Sequence, residues 1–203
     1  YLASAKKSGV QNFGYAPNSF DWVDADSHYQ QSFYITTDAI SESGYQLISE
    51  YGNLFRETTK QDQYKECLLT AEASTDPNME VVNVLLNAFI PQGNRNTVGG
   101  GYGWYRPLGE LWQKYDENDA RFHHNLTGNL PGNAATEEID GVKYYIPRVI
   151  TSPKSGFYSI GKYRMMDPKQ KTITSWAAAT SLPLLRYADV LLLHAEAQYF
   201  TGD

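Results

Sequence analysis

The sequence predicts a mainly helical fold with a minor β component and long irregular loops. The helical pattern over residues 183–197 is the least ambiguous in the chain, and residues 33–43 are a further helix candidate. The β component rests on a hairpin pattern over residues 137–146, where Asp140-Gly141 is a strong two-residue turn signal between β-forming flanks. The 203 residues, 41% of them hydrophobic, are enough for one sizeable core, with or without a small second lobe.

The C-terminal helix is predicted to begin at Pro183, whose missing amide hydrogen costs nothing in a first turn, and to stop at Gly202. Arg186 and Asp189 are three residues apart and can pair along one face. Asp189 and Glu196 are two turns apart and face the same way. The predicted apolar stripe of this helix consists of Leu184, Ala188, Leu191, Leu192, Ala195 and Tyr199.

The other elements are predicted from local patterns. Helical patterns, apart from a break at Gly52, cover residues 1–9, 33–43, 45–55 and 108–115. Short apolar runs predict buried strands at residues 66–71 and 81–90, and a further extended piece at 157–163. Loops are predicted over residues 12–28 and over the glycine-rich residues 91–107.

Composition and charge exclude several functions. The net charge of −6 argues against nucleic acid and anionic membrane surfaces, which bind clustered Lys and Arg. No apolar run is long enough for a membrane span. The single cysteine, Cys67, excludes an internal disulfide framework and is predicted to be a small buried hydrophobe.

Aromatic residues are unusually frequent, with 16 Tyr, 8 Phe and 4 Trp. A pyranose ring presents a face of C–H bonds, on which Tyr and Trp rings stack, and a rim of hydroxyls, which amide and guanidinium groups satisfy. Both kinds of group occur together in the loop of residues 91–107. We therefore predict that this loop binds a glycan through Asn94, Arg95, Asn96, Tyr102, Trp104 and Tyr105. The open alternative is that Trp104 folds back and anchors the loop on the core.

Metal and cofactor motifs are not found in the sequence. His123 and His124 are adjacent, so on a helix or a strand they point apart and do not predict a metal site. The acidic run of residues 116–119 lacks the spacing and the central glycine of a calcium loop. We predict local turn hydrogen bonds there instead, with Asp119 pairing with Arg121. No metal and no cofactor are predicted.

Two further patterns leave weaker alternatives. Asp189 and Glu196 share a helix face, and a glycoside hydrolase uses two carboxyls across a cleft. Ion pairing explains these acids more simply, so we predict a non-catalytic protein. Asn125 opens an Asn-Leu-Thr glycosylation sequon, a pattern that many sequences contain by chance.

An ordered series of motifs carries a family resemblance. The series is Ala39 with Gly44-Tyr45-Gln46-Leu47, Tyr51 with Leu54-Phe55, Glu66-Cys67-Leu68-Leu69, Leu111 through Tyr115 to Asp116-Glu117-Asn118-Asp119-Ala120-Arg121, Gly161-Lys162-Tyr163, and Leu184-Leu185-Arg186-Tyr187-Ala188-Asp189-Val190-Leu191-Leu192-Leu193-His194-Ala195-Glu196-Ala197. In these motifs the chain resembles the C-terminal part of a SusD/RagB-type outer-membrane nutrient-binding lipoprotein of Bacteroidetes. The last motif is the most specific of the series.

The resemblance implies a SusD-like fold with tetratricopeptide-type helices and irregular loops that carry the ligand site. It implies a non-catalytic protein that binds oligosaccharides, polysaccharides or peptides at the cell surface. Such a protein would sit as a lid on a SusC-like TonB-dependent transporter, and its only link to the outer membrane would be an N-terminal lipid anchor.

The resemblance also implies how this chain is divided. Residues 1–32 would be the tail of an N-terminal helical part and a loop, and residues 33–203 a SusD/RagB-like C-terminal region that is truncated at its end. The partner of the C-terminal helix would then lie beyond Asp203. The alternative from a different class is a helical-repeat scaffold that binds a protein through exposed Tyr and Leu on its helix faces.

Overall fold

The computed structural model describes residues 1–8, 19–74, 104–128, 136–139, 141–145, 158–163 and 180–202. The chain divides into two units. The first unit consists of Tyr1–Leu47, Glu66–Leu68 and Leu185–Asp203, and the second of Ile48–Lys65 and Leu69–Leu184.

Helices hold more of the described residues than strands do. The α-helices are α1 (Leu2–Ser8), α2 (Ala25–Glu42), α3 (Lys60–Glu66), α4 (Gly109–Gln113), α5 (Phe122–Asn125) and α6 (Tyr187–Thr201). Two 3₁₀ turns cover Tyr51–Phe55 and Glu57–Thr59. The strands are β1 (Cys67–Ala71), β2 (Leu126–Gly128), β3 (Thr136–Ile139), β4 (Val142–Tyr145), β5 (Tyr158–Ile160) and β6 (Leu182–Arg186). The predicted fold class, mainly helical with a minor β component, is confirmed.

The described strands pair two by two, β1 with β6, β2 with β5 and β3 with β4. β2 and β5 are antiparallel, with Leu126 opposite Ile160. β3 and β4 form the predicted hairpin, in which Ile139 lies opposite Val142 and Gly141 has a φ of 77°. The strand predicted at 66–71 and the extended piece at 157–163 are confirmed as β1 and β5. The strand predicted at 81–90 lies outside the described residues.

The core of the first unit lies where α1, α2 and α6 meet. Its buried residues are Ala3, Ala25, Tyr29 and Ala197, with Phe33 packed against them. The three alanines leave room for the helices to approach closely, and Ala197 is fully buried. The Tyr29 ring fills the remaining space and stacks on Phe200, with ring centroids 4.5 Å apart.

Helix α2 begins eight residues earlier than the predicted helix, at Ala25, so the loop predicted over residues 12–28 was too long. The start is set by Asp24, whose carboxylate accepts a hydrogen bond from the backbone N–H of Ser27 at 3.1 Å. The helix ends before Gly44, whose φ of 73° is the left-handed conformation that commonly terminates a helix.

Helix α6 begins at Tyr187, so the prediction that Pro183 occupies its first turn was wrong. Residues 182–186 form β6 instead, because pairing with β1 stabilises an extended backbone there. A two-stranded sheet tolerates Pro183, since a strand with an open edge does not need every amide hydrogen. The predicted stop is confirmed, because Gly202 has a φ of 77° and its N–H donates to the Gln198 carbonyl at 3.0 Å.

The apolar stripe predicted for this helix was also wrong. Leu192 and Tyr199 are 69% and 79% exposed, whereas the buried residues of α6 are Val190 and Ala197. Apolar residues occur all around this helix, so spacing alone does not identify the packed side. The packed side of α6 is the one that contacts the small residues of α1 and α2. Ala197 lies on that side, where its small side chain lets the helices pack closely.

Arg186 pairs with Glu66 rather than with Asp189. The Arg186 Nη1 lies 2.6 Å from the Glu66 Oε1. The Glu66 side chain is 3% exposed and that of Arg186 26% exposed, so this ion pair is largely removed from water. It joins the end of α3 to the residue that precedes α6 within the first unit.

Shorter elements differ from the predicted ones mainly in length. The helical pattern at 45–55 becomes irregular chain followed by the 3₁₀ turn Tyr51–Phe55, and the helix predicted at 108–115 is confirmed as α4, Gly109–Gln113. Cys67 is buried, as predicted.

Helix α2 runs through residue 32, and the predicted division of the chain at that residue stays a prediction. Among the described helices, none has the length and apolar character that a membrane crossing requires.

Candidate functional site

The predicted ligand-binding loop is described only at its C-terminal end. Asn94, Arg95, Asn96 and Tyr102 lie outside the described residues, whereas Trp104 and Tyr105 lie within them. We use the name aromatic stretch for residues 104–111, which include the last four residues of the predicted loop and belong to the second unit.

Large apolar side chains of the aromatic stretch are exposed to solvent. Trp104 is 71%, Tyr105 54%, Leu108 74% and Leu111 41% exposed. The Trp104 side chain is therefore mostly exposed in the described part of the chain. Isolated exposed apolar residues are normal, whereas here four of them fall within eight positions of the sequence.

Helix α4 holds the C-terminal end of the aromatic stretch. The backbone N–H of Leu111 donates to the Leu108 carbonyl at 3.0 Å, which closes the first turn. One turn further on, Trp112 packs on the buried Phe122, with ring centroids 6.0 Å apart. Tyr115 also packs on this cluster and stacks on Phe122, with ring centroids 5.2 Å apart. The helix thus points Leu108 and Leu111 outward while Trp112 fixes it to the core.

The side chain of Asn125, at the end of α5, bridges two tyrosines. The Tyr51 hydroxyl donates to the Asn125 Oδ1 at 2.9 Å, and the Asn125 Nδ2 donates to the Tyr115 hydroxyl at 3.0 Å. The sequence singled out Asn125 only as a glycosylation sequon. In the folded chain its amide is half-buried and already engaged on both atoms. No local pattern in the sequence indicates this bridge, because Tyr51 lies 74 positions from Asn125.

An aromatic cluster adjoins this bridge at Tyr51. The His124 ring lies edge-on to Tyr51 at 5.2 Å, and Phe55 contacts Tyr163 in the same manner at 5.6 Å. The Lys162 ammonium sits over the Phe55 ring, 5.2 Å from its centroid. His124 is therefore a packing residue of the second unit. No group of His, Cys, Asp and Glu among the described residues is arranged to hold a metal ion.

The acidic run after α4 forms the predicted local turn. The Asp116 Oδ1 accepts from the backbone N–H of Asn118 at 2.8 Å. Asp119 takes the Arg121 guanidinium on both oxygens, with Nε at 3.0 Å and Nη2 at 2.8 Å. Hydrogen bonds from the side chain and the backbone of Arg121 lower the pKa of Asp119 below its usual value.

The lowered pKa of Asp119 predicts a pH dependence of stability. Since the folded pKa lies below the unfolded one, the contribution of Asp119 is complete above the usual carboxyl pKa, about 3.9, and is lost as the pH falls through the folded pKa. Asp119→Asn should therefore lower the free energy of unfolding at pH 7 and lower it less at pH 3. Urea denaturation of both proteins at the two pH values measures the difference. An equal loss at pH 3 and pH 7 would show that the charge of Asp119 has no part in it.

The two acids once considered as a catalytic pair are hydrogen-bond acceptors in the first unit. The Tyr1 hydroxyl donates to Asp189. The Glu196 Oε1 accepts from the Ser4 hydroxyl at 2.6 Å and from the Tyr29 hydroxyl at 2.8 Å. Burial and the hydrogen bond to Glu196 raise the pKa of Tyr29. Both carboxylates connect α6 to its neighbours through hydroxyl donors. The ion pairing that the sequence predicted for Asp189 was therefore wrong, since Arg186 pairs with Glu66 instead.

Comparison with known proteins adds a family and a fold. The model of the SusD family matches residues 87–203. No curated protein matches the chain. A SusD superfamily protein from Parabacteroides distasonis matches all of this chain and 38% of its own length, with 20% identity and a TM-score of 0.61.

Two further solved structures contain sugars. One is surface glycan-binding protein A from Bacteroides thetaiotaomicron in complex with laminarihexaose, which matches 88% of this chain and 40% of its own, with 20% identity and a TM-score of 0.56. The other, solved with a xylogluco-oligosaccharide, matches 85% of this chain and 34% of its own, with 20% identity and a TM-score of 0.60. This chain therefore spans two fifths or less of the solved proteins that it resembles.

Proposed function

We propose, from the premise that the chain belongs to the SusD family, that it binds oligosaccharides or polysaccharides without catalysis. The proposed contact surface is the aromatic stretch together with the loop before it. Trp104 and Tyr105 supply ring faces for stacking, and Tyr102 adds a third ring. Asn94, Arg95 and Asn96 supply hydrogen bonds to sugar hydroxyls.

The observation that carries the proposal is the exposure of Trp104 and Tyr105 on a segment held by a fixed helix. An exposed indole leaves a large apolar face in water, and covering it with the C–H face of a sugar recovers that cost. Because Trp112 anchors α4 on Phe122, the end of the stretch is ordered before a ligand arrives. Such pre-organisation lowers the entropy lost on binding.

The solved relatives support a glycan as the ligand class, since two of them were determined with laminarihexaose and a xylogluco-oligosaccharide. A peptide stays the alternative nutrient. We propose further that the protein delivers its ligand to a SusC-like TonB-dependent transporter. In this proposal it acts at the cell surface, on the outer membrane, to which a lipid anchor attaches it.

The glycan proposal predicts a large effect of one side chain. Trp104→Ala should weaken glycan binding by about 1–3 kcal/mol, the range measured for base stacking on aromatic side chains, and Tyr102→Ala should weaken it similarly if that ring also stacks. Calorimetric titration of the intact protein with a panel of laminarihexaose, xylogluco-oligosaccharides, malto-oligosaccharides and short peptides measures it. Trp22→Ala is the matched control, because Trp22 is 69% exposed but belongs to the first unit.

Two results would contradict the glycan proposal. The first is that no member of the panel binds the intact wild-type protein. The second is that Trp22→Ala weakens binding while Trp104→Ala does not, since the contact surface would then lie in the other unit.

A protein-binding scaffold is the second candidate, and exposed helix faces of the first unit favour it. Tyr34 and Ile35 of α2 are 65% and 67% exposed, and Leu192 and Tyr199 of α6 are 69% and 79% exposed. Co-purification of a transporter that is lost on Leu192→Ser but kept on Trp104→Ala would support this role. Glycan binding that depends on Trp104 in the same preparations would show that both functions coexist.

A further inference from the structure

The Asn125 side chain links the 3₁₀ turn Tyr51–Phe55 to Tyr115, the second residue after α4. It uses both atoms of its amide for this, because the Tyr51 hydroxyl donates to Oδ1 and Nδ2 donates to the Tyr115 hydroxyl. An aliphatic side chain of the same size would make neither hydrogen bond.

The link continues from Tyr115 to the aromatic stretch through packed rings. Tyr115 stacks on Phe122 at 5.2 Å, and Phe122 contacts Trp112 at 6.0 Å. Trp112 lies on α4, whose first turn is closed by the hydrogen bond from Leu111 to Leu108. The orientation of α4 sets the direction in which the chain leaves toward Trp104, eight positions before Trp112.

We propose that Asn125 is a positioning residue for glycan binding, acting through Tyr115 and α4 on the exposed rings of the aromatic stretch. This inference rests on the proposed function. Asn125 itself does not contact the ligand. Its effect arises because ring stacking depends on the angle and position of the rings, which a supporting shell of hydrogen bonds holds in place.

The test uses four variants of the intact protein. Asn125→Leu removes both hydrogen bonds at similar size, and Tyr115→Phe removes only the one toward α4. Asn125→Asp is the conservative variant, since a carboxylate accepts from both tyrosine hydroxyls and retains the bridge. Thr59→Val is the matched control in the same unit, because it deletes a hydroxyl that donates to the Asn53 carbonyl at 2.7 Å and has no part in the bridge.

Two readouts separate positioning from general destabilisation. One is the affinity for the panel member that binds wild type most tightly. The other is the ¹⁹F spectrum of protein labelled with 5-fluorotryptophan, which reports on all 4 tryptophans. The Trp104 signal is assigned with Trp104→Phe and is compared with that of Trp22 in the first unit.

We expect Asn125→Leu and Tyr115→Phe to shift or broaden the Trp104 signal, to leave the Trp22 signal in place and to weaken binding about tenfold, equivalent to about 1.4 kcal/mol. Asn125→Asp should restore most of the affinity, and Thr59→Val should change neither readout. An unaltered Trp104 signal and affinity in Asn125→Leu would overturn the inference. So would an equal loss of affinity in Thr59→Val.

The remaining outcomes are also decisive. If Asn125→Leu does not fold, Tyr115→Phe takes its place, and unchanged readouts in that variant overturn the inference. If wild type binds no glycan of the panel, the proposed function fails. A Trp104 signal that still moves in Asn125→Leu then supports the positioning role, and one that does not move refutes it.

Discussion

Arg186→Met should lower the free energy of unfolding by about 3–5 kcal/mol, the cost of breaking a buried ion pair by removing one partner. The reason is that the Glu66 carboxylate group, with a side chain 3% exposed, loses the guanidinium 2.6 Å away. Urea denaturation followed by far-ultraviolet circular dichroism measures the change, because α6 begins immediately after Arg186.

The exposed pair of Lys65 and Asp62 is the matched control for the ion pair. These side chains are 54% and 36% exposed and 2.7 Å apart, so Lys65→Met should cost about 0.5 kcal/mol or less. In the double variant Glu66→Gln/Arg186→Met the buried charge is also gone, and part of the stability should return. A loss below about 1 kcal/mol for Arg186→Met would mean that water reaches the pair and that it is not a buried one.

Gly161→Ala should destabilise the second unit by about 3 kcal/mol or more, at the upper end of overpacking costs. A Cβ atom at this position would lie far inside van der Waals contact with the backbone carbonyl oxygen of His124. That backbone cannot move aside easily, because the Gly161 N–H donates to the Asn125 carbonyl at 2.9 Å and the adjoining residues Leu126 and Ile160 are paired in β2 and β5. Thermal denaturation of the purified variant measures the effect.

Gly44→Ala is the control for Gly161→Ala. Gly44 has a φ of 73° and nothing within 4 Å of the added Cβ, so its replacement costs only the backbone strain, about 1 kcal/mol. If the two variants lose the same stability, close approach at Gly161 is not what the glycine provides.

Local spacing was sufficient to predict much of this fold. The hairpin formed by β3 and β4 and the turn that joins Asp119 to Arg121 each depend on neighbours in the sequence. Local patterns also located β1 and β5, although the strands that pair with them are distant in the sequence. Gly44 and Gly202 stop their helices because both adopt positive φ, which glycine tolerates best.

Long-range contacts decided what the sequence did not predict. Pairing with β1 draws residues 182–186 into a strand, although their pattern continues the helix that follows. The Glu66 partner of Arg186 lies 120 positions away. No periodic pattern reports such a distance.

The candidate site shows the same division. Trp104 and Tyr105 were predicted from residue type alone, and their exposure agrees with a ligand-binding role. The Asn125 bridge was not predicted, because Tyr51 and Tyr115 are distant from Asn125 in the sequence and residue type alone does not identify the hydrogen-bond partner of a tyrosine hydroxyl. Residue chemistry therefore suggested where a ligand would be met, and tertiary contacts supply what holds that surface in place.

The most direct test of glycan binding at the aromatic stretch is hydroxyl-radical footprinting of the intact protein, with and without the panel glycan that binds best. We expect the glycan to lower oxidation of Trp104 and Tyr105, while Trp22 and Tyr199 of the first unit, which are also exposed, react as before. Protection of Trp22 or Tyr199 with no change at Trp104 would contradict it.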